Sequence, residues 1–144
     1  PDAQEKAMAA LNVGESYALE VAAAAQITDV LAGAPADADA AIAIAEQEGD
    51  FLCQRILHMS RGVATMASNI DRHGNKLETD IGSLVSAGFG YEDGRVYASG
   101  RVFFTRGQAI TRSAFNSETN LYMAVAERVY FVAVECPIGY VDIV

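Results

Sequence analysis

The chain has 144 residues, of which 51% are hydrophobic and 20% charged, and its formal net charge is -9. That apolar fraction excludes a disordered chain, and the length suffices for a single domain, 1–144, with a real core. The acidic balance opposes phosphate backbones, so nucleic acid is not an expected partner.

The charge is uneven: residues 1–89 carry net -8 and residues 90–144 carry net -1. No apolar run approaches the roughly 18 residues that span a bilayer, so no transmembrane segment is expected. No charged-then-apolar leader follows Pro1, so no signal peptide is visible, and a cytoplasmic or particle-assembled location is favoured.

Asp2 to Leu11 reads as a short helix or arm. Asn12 with Glu15 three residues later resembles a capping box and opens a helix from about Val13 to Ala32. Gly33 and Pro35 end it. From Asp37 to Ile70 the residues Ile42, Ala45, Gly49, Leu52, Ile56, Met59, Val63, Met66 and Ile70 recur at alternating steps of three and four. This spacing predicts a long central helix lying along its neighbour at a shallow angle. Phe51, Cys53, Ala64 and Ala67 widen its apolar face. Asp37 or Asp39 can accept bonds from the first turn. Gly49 either interrupts the helix or splits it, with Asp50 capping the second part.

The polar run Asp71 to Lys76 holds a turn at Gly74 and Asn75, and Leu77 to Val85 carries one more short helical stretch. From Arg95 the period becomes two, punctuated by Gly100 and Gly107, which predicts an antiparallel meander. Residues 129–136 read as a strand, and 120–127 lean to strand against a helix capped by Ser117. Pro137 ends that run, leaving Gly139 to Val144 as a tail or final edge strand. The expected fold class is α+β: an N-terminal helical hairpin with a long central helix packed on a C-terminal antiparallel β-meander. Residues 1–89 are then mainly helical and 90–144 mainly β.

Candidates for chemistry are few. His58 falls on the polar stripe of the central helix with no carboxylate four residues away, so it reads first as a surface or interface histidine. Glu135 ends the most apolar strand, where low dielectric would raise a carboxylate pKa. Its plainer role is an outward ion pair with an arginine of the meander. His73 lies in a turn without a second ligand at metal spacing. Asp71, Glu78 and Asp80 lack calcium-loop order, and the glycine-rich GFGYEDG lacks the strand-to-helix context of a phosphate cradle. No metal and no cofactor is therefore expected. Cys53 and Cys136 fit no metal spacing, and two buried free thiols are favoured over a bridge between them.

Three functions remain. The first is a structural, self-assembling subunit of a homo-oligomeric particle, tube or filament, without catalytic activity. It rests on the alanine-rich apolar surplus and the absence of a reactive constellation. Its expected partner is another copy of the chain, through the outer stripe Gln54, His58, Arg61, Thr65 and Ser68 and through Arg101 and Arg112. The second is a small-ligand-binding or sensory module with an aromatic-lined pocket between helix and sheet. The third is an enzyme using Glu135 or His58, the least favoured of the three.

Overall fold

The computed structural model describes residues 2–49, 53–116 and 121–144, without the side chains of residues 2, 13, 112–116 and 121–125. The expectations on Asp50, Phe51, Leu52 and the Ser117 cap lie outside the described residues. The class is α+β. Helices α1 (Asp2–Ala25), α2 (Ala38–Gln47) and α3 (Arg61–Met66) all fall before residue 67. Strands β1 (Ile56–Ser60), β2 (Ile70–His73), β3 (Lys76–Thr79), β4 (Leu84–Gly88) and β5 (Arg95–Ser99) surround and follow α3. They are completed by β6 (Val102–Arg106), β7 (Ile110–Asn116), β8 (Leu121–Glu127), β9 (Tyr130–Val134) and β10 (Pro137–Asp142).

Six strands form one sheet in the order β10-β5-β1-β4-β3-β2, with β1 and β4 parallel and the other pairs antiparallel. The central strand β1 is buried on both faces, Leu57 and Met59 toward one helix layer and His58 toward the other. Leu57, Met59, Val96, Ala98 and Val141 meet Ala41, Ile42 and Ala45 of α2 and Val63 of α3 in an aliphatic core. Ala41 and Ala45 have no exposure, so their small side chains bring α2 close against the sheet. On the other face Tyr97 and Tyr91 pack with Ile27, Ala24, Val134 and Tyr140. Each buried Leu- or Met-sized chain contributes about 1.5–3 kcal/mol.

The long central helix is the main departure from expectation. Asp37 caps α2, its Oδ1 accepting from Ala40 N at 2.8 Å, but α2 ends at Gln47. Glu48 is extended and Gly49 has φ 91°, a left-handed conformation that suits glycine. The Arg55 guanidinium returns to donate to the carbonyls of Ala45 and Glu48, closing the helix end. The three-four spacing across Ile56 and Met59 is coincidental, since in β1 these residues lie on opposite faces. Met66, placed in the seam, is 83% exposed.

The other differences follow. Leu77 to Val85 is not helical but holds most of β3 and the start of β4. The Gly74-Asn75 turn joins β2 to β3 as expected, with Gly74 at φ 63°. α1 runs unbroken through Asn12 and Gly14 and packs on β4, β7, β8 and β9, so α1 and α2 do not form the expected hairpin.

The segment after Arg95 is β as expected, but not a meander. It is one long nested hairpin. β5 pairs with β10, β6 with β9 and β7 with β8. Pairing carries on through the joints, with Glu135 N donating to Arg101 O and Gly107 N to Val129 O, each at 2.8 Å. β5 and β10 belong to the sheet, whereas β6 to β9 leave it as a two-stranded ribbon. β10 is the final edge strand, and its edge is met by residues 29–31: Leu31 N donates to Tyr140 O and Tyr140 N to Asp29 O.

Candidate functional site

Two places stand out from the rest of the molecule. One is a polar cluster under α1, and the other is the outer face of the ribbon.

The polar cluster is built by register. Tyr140, Tyr97, His58 and Ser86 are successive neighbours across β10, β5, β1 and β4 on the sheet face turned to α1. His58 is 2% exposed, which corrects its expected place on a surface stripe. Its Nε2 lies 2.8 Å from Ser99 Oγ and its Nδ1 3.1 Å from Tyr91 Oη. Ser86 Oγ lies 2.7 Å from the same Tyr91 oxygen.

The hydrogens in this chain can be assigned. Ser99 Oγ donates to Gly100 O, so it must accept from His58, whose proton is therefore on Nε2. Nδ1 then accepts from Tyr91 Oη, which in turn accepts from Ser86. Burial drives the His58 pKa down from 6.5 to about 4, and pushes the Tyr91 phenol up to about 12. The ring is neutral at neutral pH and satisfied on both nitrogens. These are the marks of a structural histidine, with no free nitrogen for base catalysis.

α1 closes over this cluster through glycines. A Cβ at Gly90 would lie 2.7 Å from Tyr17 O, and one at Gly88 would overlap the Glu20 carboxylate. Gly88 and Gly90 of GFGYEDG therefore serve close helix–sheet approach. Burial raises the Glu20 pKa, opposed by one long bond, 3.4 Å, from Gly90 N.

The ribbon alternates cleanly. Val102, Phe104 and Arg106 face α1 with Val134, Val132 and Tyr130 opposite them. Arg106 and Arg128 both reach Glu15 of α1, at 2.7 and 3.2 Å. The Gln26 amide, just past α1, donates to Val132 O and accepts from Val134 N, pairing with β9 as a strand would. The opposite face carries Arg101, Phe103 and Thr105 beside Phe131, Ala133 and Glu135. Phe103 is 51% exposed, with the Arg101 guanidinium 5.4 Å from its ring centroid, and Phe131 is 69% exposed.

The sequence candidates scatter. Glu135 forms an exposed ion pair with Arg101 at 3.6 Å, the plainer of its two expected roles. Gln54, Arg61, Thr65 and Ser68 are exposed, but on a loop, α3 and the turn after it rather than on one helix stripe. Ser68 is tied to Asp39, whose carboxylate accepts from the Ser68 hydroxyl and the Ser68 and Asn69 amides; these bonds, the hydroxyl's first, hold its pKa low. Arg112 belongs to β7, and its side chain lies outside the described residues. Cys53 and Cys136 are bonded to each other rather than free, with Cα atoms 6.5 Å apart, joining the loop before β1 to the start of β10. Glu20, Ser86 and Ser99 were not singled out by sequence, because only the fold brings them to His58. Among the described residues no group of His, Cys, Asp or Glu has a metal-holding arrangement, and no helix is long and apolar enough to cross a membrane.

No protein-family model and no curated protein matches the chain. Among solved structures it is similar to a virus-like particle from Pyrococcus furiosus, at 10% identity and a TM-score of 0.53. The match covers 92% of this chain and 63% of the other, so the chain spans less than two thirds of the length of that protein. At this identity the likeness is one of fold.

Proposed function

We propose that the chain is a self-assembling structural subunit of a homo-oligomeric particle, tube or filament. The observation that carries this reading is the bare outer face of the ribbon. Phe103, Phe131 and Val129 are half or more exposed on a two-stranded element that has no second layer on that side among the described residues. A soluble chain rarely leaves aromatic residues paired and uncovered unless something covers them. The fold shared with a particle-forming protein supports a copy of the same chain as that cover.

Arg101, stacked 5.4 Å from the Phe103 ring, belongs to the same contact. Gln54, Arg61 and Thr65 are exposed on another side and are proposed as a second, more polar contact. A stable contact of this kind buries about 800 Å² on each partner. Size-exclusion chromatography with light scattering, followed by electron microscopy of the large fraction, tests the reading. Closed shells, tubes or fibres are expected. A monomer at the highest attainable concentration would sink it.

A further inference from the structure

A cleft of about 310 Å³ opens between α1, the sheet and the base of the ribbon, beside the polar cluster. Glu20, Ser86, Tyr91 and His58 are among its polar lining, and Leu19, Ile56, Val102 and Phe104 among its apolar lining. The hydrogen positions decide what these polar groups offer. The His58 proton is given to Ser99, the Tyr91 proton to His58 and the Ser86 proton to Tyr91. The remaining capacity is lone pairs: the carboxylate of Glu20 and the oxygens of Tyr91 and Ser86. Glu20 has no cationic partner among the described residues, and its single backbone bond is long.

We propose that this cleft binds an alkylammonium group, with the ammonium on Glu20 and the Tyr91–Ser86 oxygens and the alkyl chain along Leu19, Ile56, Val102 and Phe104. An anion would meet the Glu20 carboxylate in a chain of net charge -9, with the Ser16 hydroxyl as the donor left in the lining, and a neutral alcohol could supply one hydrogen where an ammonium supplies three. Phe104, 50% exposed, lines the same cleft and supplies an aromatic ring for the cation or its stem. The group comes either from a small free amine or from a lysine side chain, and the site does not depend on self-assembly.

The test is a titration of isotope-labelled protein followed through the His58 ring and Gly90 amide resonances. Butylammonium chloride should give saturable shifts with Kd near ~1 mM, while butanol and butyrate should give none. Glu20→Gln should weaken butylammonium at least about tenfold, equivalent to losing one charge-assisted hydrogen bond. Phe104→Ala, at a half-exposed position, should weaken butylammonium more than methylammonium. This second variant decides the question if Glu20→Gln does not fold. Nα-acetyl-lysine amide binding as tightly as butylammonium assigns the site to a lysine side chain, and binding of butylammonium alone assigns it to a free amine. Absence of saturable shifts with both amines, equal binding of butanol, or undiminished binding to Glu20→Gln would overturn the proposal.

Discussion

The sheet body and the ribbon use the same strand chemistry and are buried in different ways. In the body, β1 and β5 lie between two layers, with α2 and α3 on one face and α1 with its tyrosines on the other. Val96, Tyr97, Ala98 and Ser99 of β5 are all buried. In the ribbon, β6 and β9 have α1 on one face only, and Phe103, Phe104, Thr105 and Arg106 are all exposed to some degree. The same nested hairpin passes from one regime to the other at Gly100. The body is thus complete as a core, whereas the ribbon is half of one. Damage to the body should therefore be felt as stability, and damage to the outer ribbon as association.

The sharpest way to break this comparison is the disulfide. Cys53 and Cys136 are separated by 83 residues, and the bond ties two segments of the body, the loop before β1 and the residue before β10. Reduction, or the pair Cys53→Ser and Cys136→Ser, should cost about 4 kcal/mol in urea unfolding by the loop-closure argument. An unchanged midpoint would mean that the body does not depend on this link.

Next in size is the pH dependence that His58 imposes. Its pKa is about 4 in the folded chain and 6.5 as an ordinary group, so the unfolded chain binds the proton first as pH falls. Stability is full above about pH 6.5 and is lost progressively down to about pH 4, by about 3 kcal/mol in total from this group alone. Urea unfolding at a series of pH values should show this slope, and His58→Phe should flatten it while lowering stability at neutral pH. A slope unchanged in the variant would assign the acid sensitivity elsewhere.

A smaller effect is expected where α1 meets the ribbon. Glu15→Gln removes the carboxylate shared by Arg106 and the largely buried Arg128. About 1–2 kcal/mol should be lost. Hydrogen exchange should localise the loss to β6 and β9, leaving β1 and β5 protected. Equal acceleration in the body would show that ribbon and body unfold as one unit.

The same contrast explains what was legible in the sequence. Much of the stretch from Arg95 to Cys136 reads as strand because alternation, glycine spacing and β-rich composition are local signals. The partners of those strands were not legible, since alternation marks a strand without naming its neighbour, and nesting replaced the expected sequential pairing. β1 was misread because a strand buried on both faces has no alternation, and Ile56, Met59 and Val63 happened to continue the spacing of α2. That single error moved His58 from the centre of a polar cluster to an imagined surface stripe. Glu20 and Tyr91 lie 71 residues apart, and no local pattern links them. The start of α2 at Asp37 was legible because capping acts within three residues.

The smallest expected effect on stability carries the most weight for function. Phe131 is 69% exposed on the outer face of β9, so Phe131→Ser removes little area that folding of one chain buries. Its unfolding free energy should shift by no more than about 0.5 kcal/mol. If a second copy covers this face, the same substitution removes an aromatic anchor at the centre of the contact, where truncation costs about 2 kcal/mol or more. In a closed assembly that loss repeats at every subunit. Light scattering across a concentration series should then show the onset of assembly raised at least about tenfold. Thr105→Lys on the same face should act in the same direction, by placing a charge where Phe131 meets its cross-strand neighbour. Assembly at the unchanged concentration in both variants would leave the ribbon's bare face without a role in association and move the contact to the side that carries Gln54, Arg61 and Thr65.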